Sequence, residues 1–84
     1  MEDYFKIIKE KIENKINIEN IEIIDNTSKH KNHKNFDKNK FHLHIKIKSL
    51  YLKSITKISA QRQVMNILKD ELKSKIHALE ISIY

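Results

Sequence analysis

The stretch FHLHIKIKS, residues 41–49, decides more of the fold than any other part of the chain. Every second residue in it is apolar: Phe41, Leu43, Ile45 and Ile47. The residues between them are polar: His42, His44, Lys46 and Lys48. A period of two is typical of a β-strand with one face in the core and the other in water. The sequence therefore predicts a strand over 41–49 whose polar face is exposed to solvent.

Before this strand, the pattern predicts a helix, a short strand and a loop. Residues 2–16 place apolar side chains three or four apart, which indicates an amphipathic helix with its buried side formed by Phe5, Ile8, Ile12 and Ile16. The β-branched segment 21–25 predicts a strand, and Ile21 and Ile23 share one face. Residues 26–40 are almost entirely polar, which predicts a long loop.

After this strand, the pattern predicts helix and then a final strand. Residues 54–59 suggest a short helical turn capped by Ser54. Ser59 is the predicted cap of a longer helix that runs to about residue 73, with an apolar stripe made of Val64, Met65, Leu68 and Leu72. Alternation over 78–84 predicts the last strand, in which Leu79, Ile81 and Ile83 share one face.

The predicted order is helix, strand, strand, helical turn, helix, strand, which defines an α+β fold. A chain of 84 residues has room for one core, so residues 1–84 are expected to form a single domain. Three strands with helices on only one side leave the other face of the sheet exposed to solvent. The polar residues of the predicted strands match that exposed face.

Composition excludes several classes of protein. The chain has no cysteine, so it forms no disulfide and supplies no thiolate ligand, and a cytoplasmic location is expected. No apolar run is long enough to span a membrane, and the N-terminus lacks the pattern of a secretory signal. The net charge of +6 is weak evidence for an acidic partner, because lysine and isoleucine are abundant throughout. Since glycine is absent, asparagines such as Asn20 and Asn26 are the expected positions of positive φ.

Three motifs resemble the BolA family. Glu71-Leu72 followed by IHAL at 76–79 is similar to that family's signature "EEL…VHAL". DNTSKH at 25–30 is similar to its acidic-x-Ser-x-x-His exit from the first strand, and His42-Leu43 is similar to its His-Phe opening of the second. The resemblance runs in register from about residue 21 to residue 84. It implies a fold similar to a class II KH domain, α-β-β-α-α-β.

Two departures from the family pattern concern the loop and the long helix. Where the family has Arg-His-Arg, this chain has Ala60-Gln61-Arg62, so only the last arginine is kept. The family's proline and glycine-serine in the loop are replaced by KNFD at 34–37, and the loop is longer. These differences bear on loop geometry more than on the fold.

The resemblance implies a role in iron–sulfur cluster trafficking or regulation. Family members bind a monothiol glutaredoxin and share a [2Fe–2S] cluster across the interface, and the isolated chain is expected to be a monomer without a cluster. The matching ligand positions here are His77 and the loop histidine His30, with His33 as a competitor three residues on. Arg62, Ala78 and Leu79 match positions that contact the partner.

The chemistry of the residues is compatible with this role. Two imidazoles hold one iron of a [2Fe–2S] unit in Rieske centres, and the other iron is held by thiolates. Because this chain has no cysteine, the sulfur ligands must come from the partner, through its cysteine and bound glutathione. Imidazole binds metal only when neutral, so the affinity is expected to fall as the pH falls through the histidine range.

Other interpretations of the same residues stay open. His77 could cap a helix C-terminus, and Arg62 could be a surface charge. His42 and His44 could bind zinc or nickel, or be plain surface residues. A DNA-binding transcriptional regulator is the alternative function, although the Gly-x-x-Gly loop of KH domains is absent. Its contacts would be four lysines on the strand face and loop: Lys46, Lys48, Lys31 and Lys34. No constellation of catalytic residues is evident, so an enzyme is not expected.

Overall fold

The computed structural model describes residues 2–27 and 41–84. The elements in chain order are α1 (Glu2–Glu13), β1 (Asn20–Asp25), β2 (Phe41–Lys48), α2 (Leu50–Lys53), α3 (Lys57–Ile67), α4 (Lys69–Ser74) and β3 (Ile76–Ile83). The predicted α+β class, with its three-stranded sheet, is confirmed. Among the described residues, no helix is both long enough and apolar enough to cross a membrane.

The central strand of the sheet is β2. It pairs antiparallel with β1, where Ile23 lies opposite Ile45, and parallel with β3, where Ile45 lies opposite Ile81. The sheet order is therefore β1-β2-β3. Because parallel neighbours need a crossover, α2, α3 and α4 connect β2 to β3.

The core lies between one face of the sheet and the helices. The predicted apolar face of β2 is confirmed, since Phe41, Leu43, Ile45 and Ile47 are all buried. Ile8 and Ile12 of α1 are completely buried against the same cluster, as the helical spacing predicts. Burial of each such side chain stabilises the fold by about 1.5 to 3 kcal/mol.

The helices between β2 and β3 differ from the prediction in where they begin and end. Ser49, not Ser54, caps the first of them: its backbone is extended, and its Oγ accepts a hydrogen bond from the Leu52 N–H at 3.0 Å. Ser54 instead ends α2 at its C-terminus. Thr56, not Ser59, caps α3. Capping depends on an extended backbone at the cap residue, which composition alone does not reveal.

The predicted long helix is interrupted at Leu68. The backbone of Leu68 leaves the helical region (φ −98°, ψ 16°) while its side chain is completely buried, so α3 and α4 are separate helices. Val64 is buried as predicted and Leu72 is half-buried, but Met65 is 40% exposed. Met65 follows Val64 directly in α3, so it points about 100° away from the buried side of that helix.

Other sequence predictions also need correction. The ring of His42 is buried (8% exposed) although it lies on the predicted solvent face. The final strand begins at Ile76, two residues before the predicted start. No described residue has a positive φ, so Asn20, which lies in β1, and Asn26 do not have the predicted conformation.

A salt bridge joins the first helix to the fourth. The Lys11 Nζ lies 2.9 and 3.1 Å from the two carboxylate oxygens of Glu71, across 60 residues of sequence. The Glu71 side chain is only 14% exposed, so water screens this pair less than a surface pair. The contact fixes α4, and therefore the start of β3, relative to α1.

We expect Ser49→Ala to destabilise the protein by about 1 to 2 kcal/mol, because the completely buried hydroxyl also donates to the Asn17 carbonyl at 2.9 Å. Ser54→Ala is the matched control. Its exposed hydroxyl bonds to the Tyr51 carbonyl and to no other residue in the described ranges, so the expected cost is below about 0.5 kcal/mol. Urea unfolding measures both. Equal costs for the two variants would contradict the assignment of Ser49 as the buried cap.

Candidate functional site

His77 lies in a bulge near the start of β3. Phe41 pairs with Ile76, but the next residue of β2, His42, pairs with Ala78. His77 is therefore an extra residue on β3, with no counterpart on β2. Bulges redirect side chains and are frequent beside functional sites. The His77 side chain is exposed to solvent here.

The position of His77 decides one of the open interpretations. The residue that ends α4 is Lys75, whose backbone N–H bonds to the Glu71 carbonyl. His77 lies within β3, two residues beyond that cap, so the helix-cap interpretation is wrong. The exposed imidazole is carried by a strand, and it makes no hydrogen bond to a residue within 2–27 or 41–84.

The ring of His42 lies against the ring of His77. Their centroids are 5.1 Å apart and the planes are tilted by 47°. His42 is buried and His77 is exposed, so the pair spans the boundary between core and solvent. The sequence prediction missed this contact because it placed His42 on the exposed face of the sheet and His77 between the long helix and the last strand.

The backbone of His42 is tied to the end of β1. The Asn26 N–H donates to the His42 carbonyl at 2.8 Å, and the His42 N–H donates to the Thr27 Oγ1 at 3.2 Å. The Asp25 carboxylate accepts from the Thr27 N–H at 2.9 Å and also from the Thr27 hydroxyl. An Asp side chain that bonds to the backbone two residues on closes a turn, and the motif Asp-x-Thr at residues 25–27 is visible in the sequence. The chain therefore leaves β1 beside the His42–His77 pair.

A shallow cavity of about 220 Å³ opens next to the histidine pair. Two of the predicted partner contacts, Ala78 and Leu79, line it together with Asn26, His42, Leu43 and Glu80. Ala78 is exposed and Leu79 is half-buried. The bulge therefore presents small and apolar side chains beside the exposed imidazole.

Several predicted site residues are not tested by the structure. His30, His33, Lys31 and Lys34 lie outside the described residues. Arg62 is exposed on α3, and it has no hydrogen bond or ion pair with any residue in the described ranges. Its docking role therefore stays a prediction.

The remaining polar face of the sheet carries its own cross-strand contacts. The His44 Nε2 lies 2.7 Å from the Ser82 Oγ and 3.9 Å from a carboxylate oxygen of Glu80. Lys46 lies opposite Glu22 in the β1–β2 register. Within residues 2–27 and 41–84, no group of three or more histidine, cysteine or acidic side chains could hold a metal ion. A zinc or nickel site built on His42 and His44 therefore has no third ligand in these ranges.

Aromatic rings pack around Phe41, the β2 residue just before the register shift. The Tyr4 ring stacks on Phe41 with centroids 5.6 Å apart, and the Lys75 Nζ lies 5.8 Å from the Tyr4 centroid. Burial raises the pKa of the Tyr4 hydroxyl, and the negative charge of Glu71 raises it further. The neutral phenol is therefore favoured, and its ring stays packed on Phe41 at the start of β2.

Fold and site together define a small α+β domain that presents an exposed imidazole on a strand bulge. The chain belongs to the BolA-like family, because the family model described as BolA-like protein matches residues 12–84. The resemblance in the sequence motifs is thereby confirmed.

Two solved structures have the same fold. The chain is 29% identical to the BolA domain of SufE1 from Arabidopsis thaliana, with a TM-score of 0.77 over 93% of this chain and 86% of that chain. It is 24% identical to BolA1 from Arabidopsis thaliana, with the same TM-score and coverage, which shows the fold alone. A comparison with curated proteins finds no match.

The two histidines of the pair are expected to differ in their contribution to stability. We expect His77→Ala to change the free energy of unfolding by less than about 0.5 kcal/mol, because the side chain is exposed. His42→Ala is expected to cost about 1 to 3 kcal/mol, because it removes a buried ring. Denaturant unfolding compares the two variants. A large loss for His77→Ala would mean that His77 serves the fold instead of a ligand.

Proposed function

We propose that this chain is a non-enzymatic iron–sulfur partner protein that binds a monothiol glutaredoxin. In the mixed complex, His77 is a ligand of a shared [2Fe–2S] cluster. The observation that carries the proposal is the exposed imidazole of His77, which the bulge places outside the regular ladder. An imidazole in that position reaches a metal held by another molecule without opening the fold.

The metal-binding side chains of this chain fit a cluster that is shared with a partner, and they do not fit a cluster bound by this chain alone. The sequence contains five histidines and no cysteine, so it supplies nitrogen and no sulfur. In a Rieske-type arrangement two imidazoles hold one iron and thiolates hold the other. His77 is one imidazole, and we propose His30 or His33 as the second. The glutaredoxin cysteine and glutathione supply the sulfur ligands.

The surroundings of His77 suit docking of a second protein. Ala78 is small and exposed beside the imidazole, and Leu79 adds an apolar wall to the adjacent cavity. A small residue lets the partner backbone approach closely, and an apolar wall excludes water as the surfaces meet. We propose Arg62 as a further contact with the partner, because its exposed guanidinium has no partner among the described residues.

Nitrogen ligands also suggest how the complex is used. Neutral imidazole adds no negative charge to a cluster, whereas thiolate does, so histidine ligation raises the reduction potential. A cluster held by fewer thiolates suits regulation or delivery to a recipient. We propose a cytoplasmic location, where thiols stay reduced and glutathione is abundant.

Nucleic-acid binding has less support from the described residues. Lys46 on β2 lies opposite Glu22, and Glu80 projects from the same polar face beside His44. These acidic side chains reduce the positive potential that a phosphate backbone requires. Only Lys48, which lies opposite Asn20, is an exposed lysine of β2 without a facing carboxylate.

Reconstitution tests the proposal. The chain is mixed with a monothiol glutaredoxin, iron, sulfide and glutathione, and the product is followed by visible absorption and circular dichroism. We expect a mixed complex whose spectrum differs from that of the glutaredoxin homodimer, and we expect His77→Ala to abolish this difference. His44→Ala is the matched control, because His44 bonds to Ser82 and lies away from the bulge. A wild-type spectrum for His77→Ala would remove His77 as a ligand.

A further inference from the structure

His42 connects the two parts of the chain that flank the candidate site. Its ring contacts His77 on β3, and its backbone bonds to the end of β1 on the other side. His42 therefore links the end of β1 to the exposed residue of the bulge.

The ring of His42 is itself well fixed. It is only 8% exposed, so the packed surroundings restrict its rotamers. Its backbone N–H and carbonyl are both engaged, by the Thr27 hydroxyl and the Asn26 N–H. A side chain fixed in this way is a rigid surface for whatever lies against it.

The side chain of His77, in contrast, is exposed to solvent. His77 is the extra residue of the bulge, and in the part of the chain that the structure describes its side chain contacts the ring of His42. An exposed side chain without such a contact samples several rotamers. Each rotamer points the ring nitrogens in a different direction, so only a fraction of molecules would be ready to bind a metal.

We propose that His42 is a positioning residue for His77: its buried ring holds the exposed imidazole in one orientation before a partner binds. The proposal rests on the proposed function for the statement that His77 is a metal ligand. The order of the His77 ring, however, is a property of the free protein. Residues that orient a metal-binding histidine typically change metal affinity by about 10- to 100-fold when they are replaced. Here the orienting contact is between the two rings.

The contact between two rings predicts which substitutions preserve the function. His42→Phe keeps a flat ring of similar size at the buried position, whereas His42→Leu keeps apolar volume but removes the aromatic face. We expect both variants to fold, which thermal unfolding monitored by circular dichroism checks. The two variants therefore separate ordering of His77 from simple filling of the core.

The first measurement uses the free protein. ¹³C relaxation of the Cδ2–H of the His77 ring reports the order of that side chain on the fast timescale. We expect the order parameter of wild type to be retained in His42→Phe and to be lost in His42→Leu. Equal order in all three proteins, or loss of order in both folded variants, would overturn the proposal.

The second measurement uses the mixed complex with the glutaredoxin. We expect His42→Leu to weaken formation of the complex by about 10-fold, and His42→Phe to stay close to wild type. If His42→Phe lost the cluster as completely as His77→Ala, His42 would be a ligand, and its positioning role would be wrong. If wild type formed no mixed complex at all, the proposed function would fail while the relaxation measurement still decided the ordering of His77.

Discussion

The parallel pairing of β3 with β2 is the contact on which the rest of the structure depends. It makes β2 the central strand, and it requires α2, α3 and α4 to cross one face of the sheet and bury it. The salt bridge between Lys11 and Glu71 ties this crossover to α1 just before β3 begins. The same pairing contains the irregularity at His77 that gives the protein its candidate site. Fold and site therefore arise from one ladder of hydrogen bonds.

The proposed function follows from the donor atoms that the sequence supplies. The sequence has five histidines and no cysteine, so the sulfur ligands of the proposed cluster would come from another molecule. In such a complex, the affinity for the cluster would depend on the partner, and separation of the two proteins would release it. An exposed imidazole on a rigid strand suits this role better than a buried one, because the fold has no need to open.

The sequence predicted the regular parts of the fold because those parts follow simple periods. The alternation from Phe41 to Ile47 and the helical spacing of Ile8 and Ile12 matched the observed burial. The predictions failed where one residue breaks a period. Leu68 leaves the helical conformation to stay buried, and Ser49 caps α2 because its backbone is still extended at the end of β2. Such local changes of backbone are decided by tertiary packing and not by composition.

The sequence contains a sign of the bulge at His77, which is the spacing of the apolar residues Ile76 and Leu79. Ile76 is buried and Leu79 packs against the core, although they are three residues apart and a regular strand would turn them to opposite faces. One extra residue between them restores the register, and His77 and Ala78 are the exposed residues that result. The burial of His42 could not be predicted, because it depends on contacts made only when β1, β2 and β3 are assembled. The family motifs located the candidate histidine, and the structure explains why it is exposed.

The most direct test of the central claim is to ask whether a nitrogen of this chain is bonded to iron. The chain would be labelled with ¹⁵N-histidine, combined with unlabelled glutaredoxin and the cluster, reduced, and measured by pulsed electron paramagnetic resonance. The account predicts a strong hyperfine coupling from ¹⁵N that disappears in His77→Ala. A spectrum unaffected by the labelling would contradict it, because every ligand of the cluster would then belong to the other molecule.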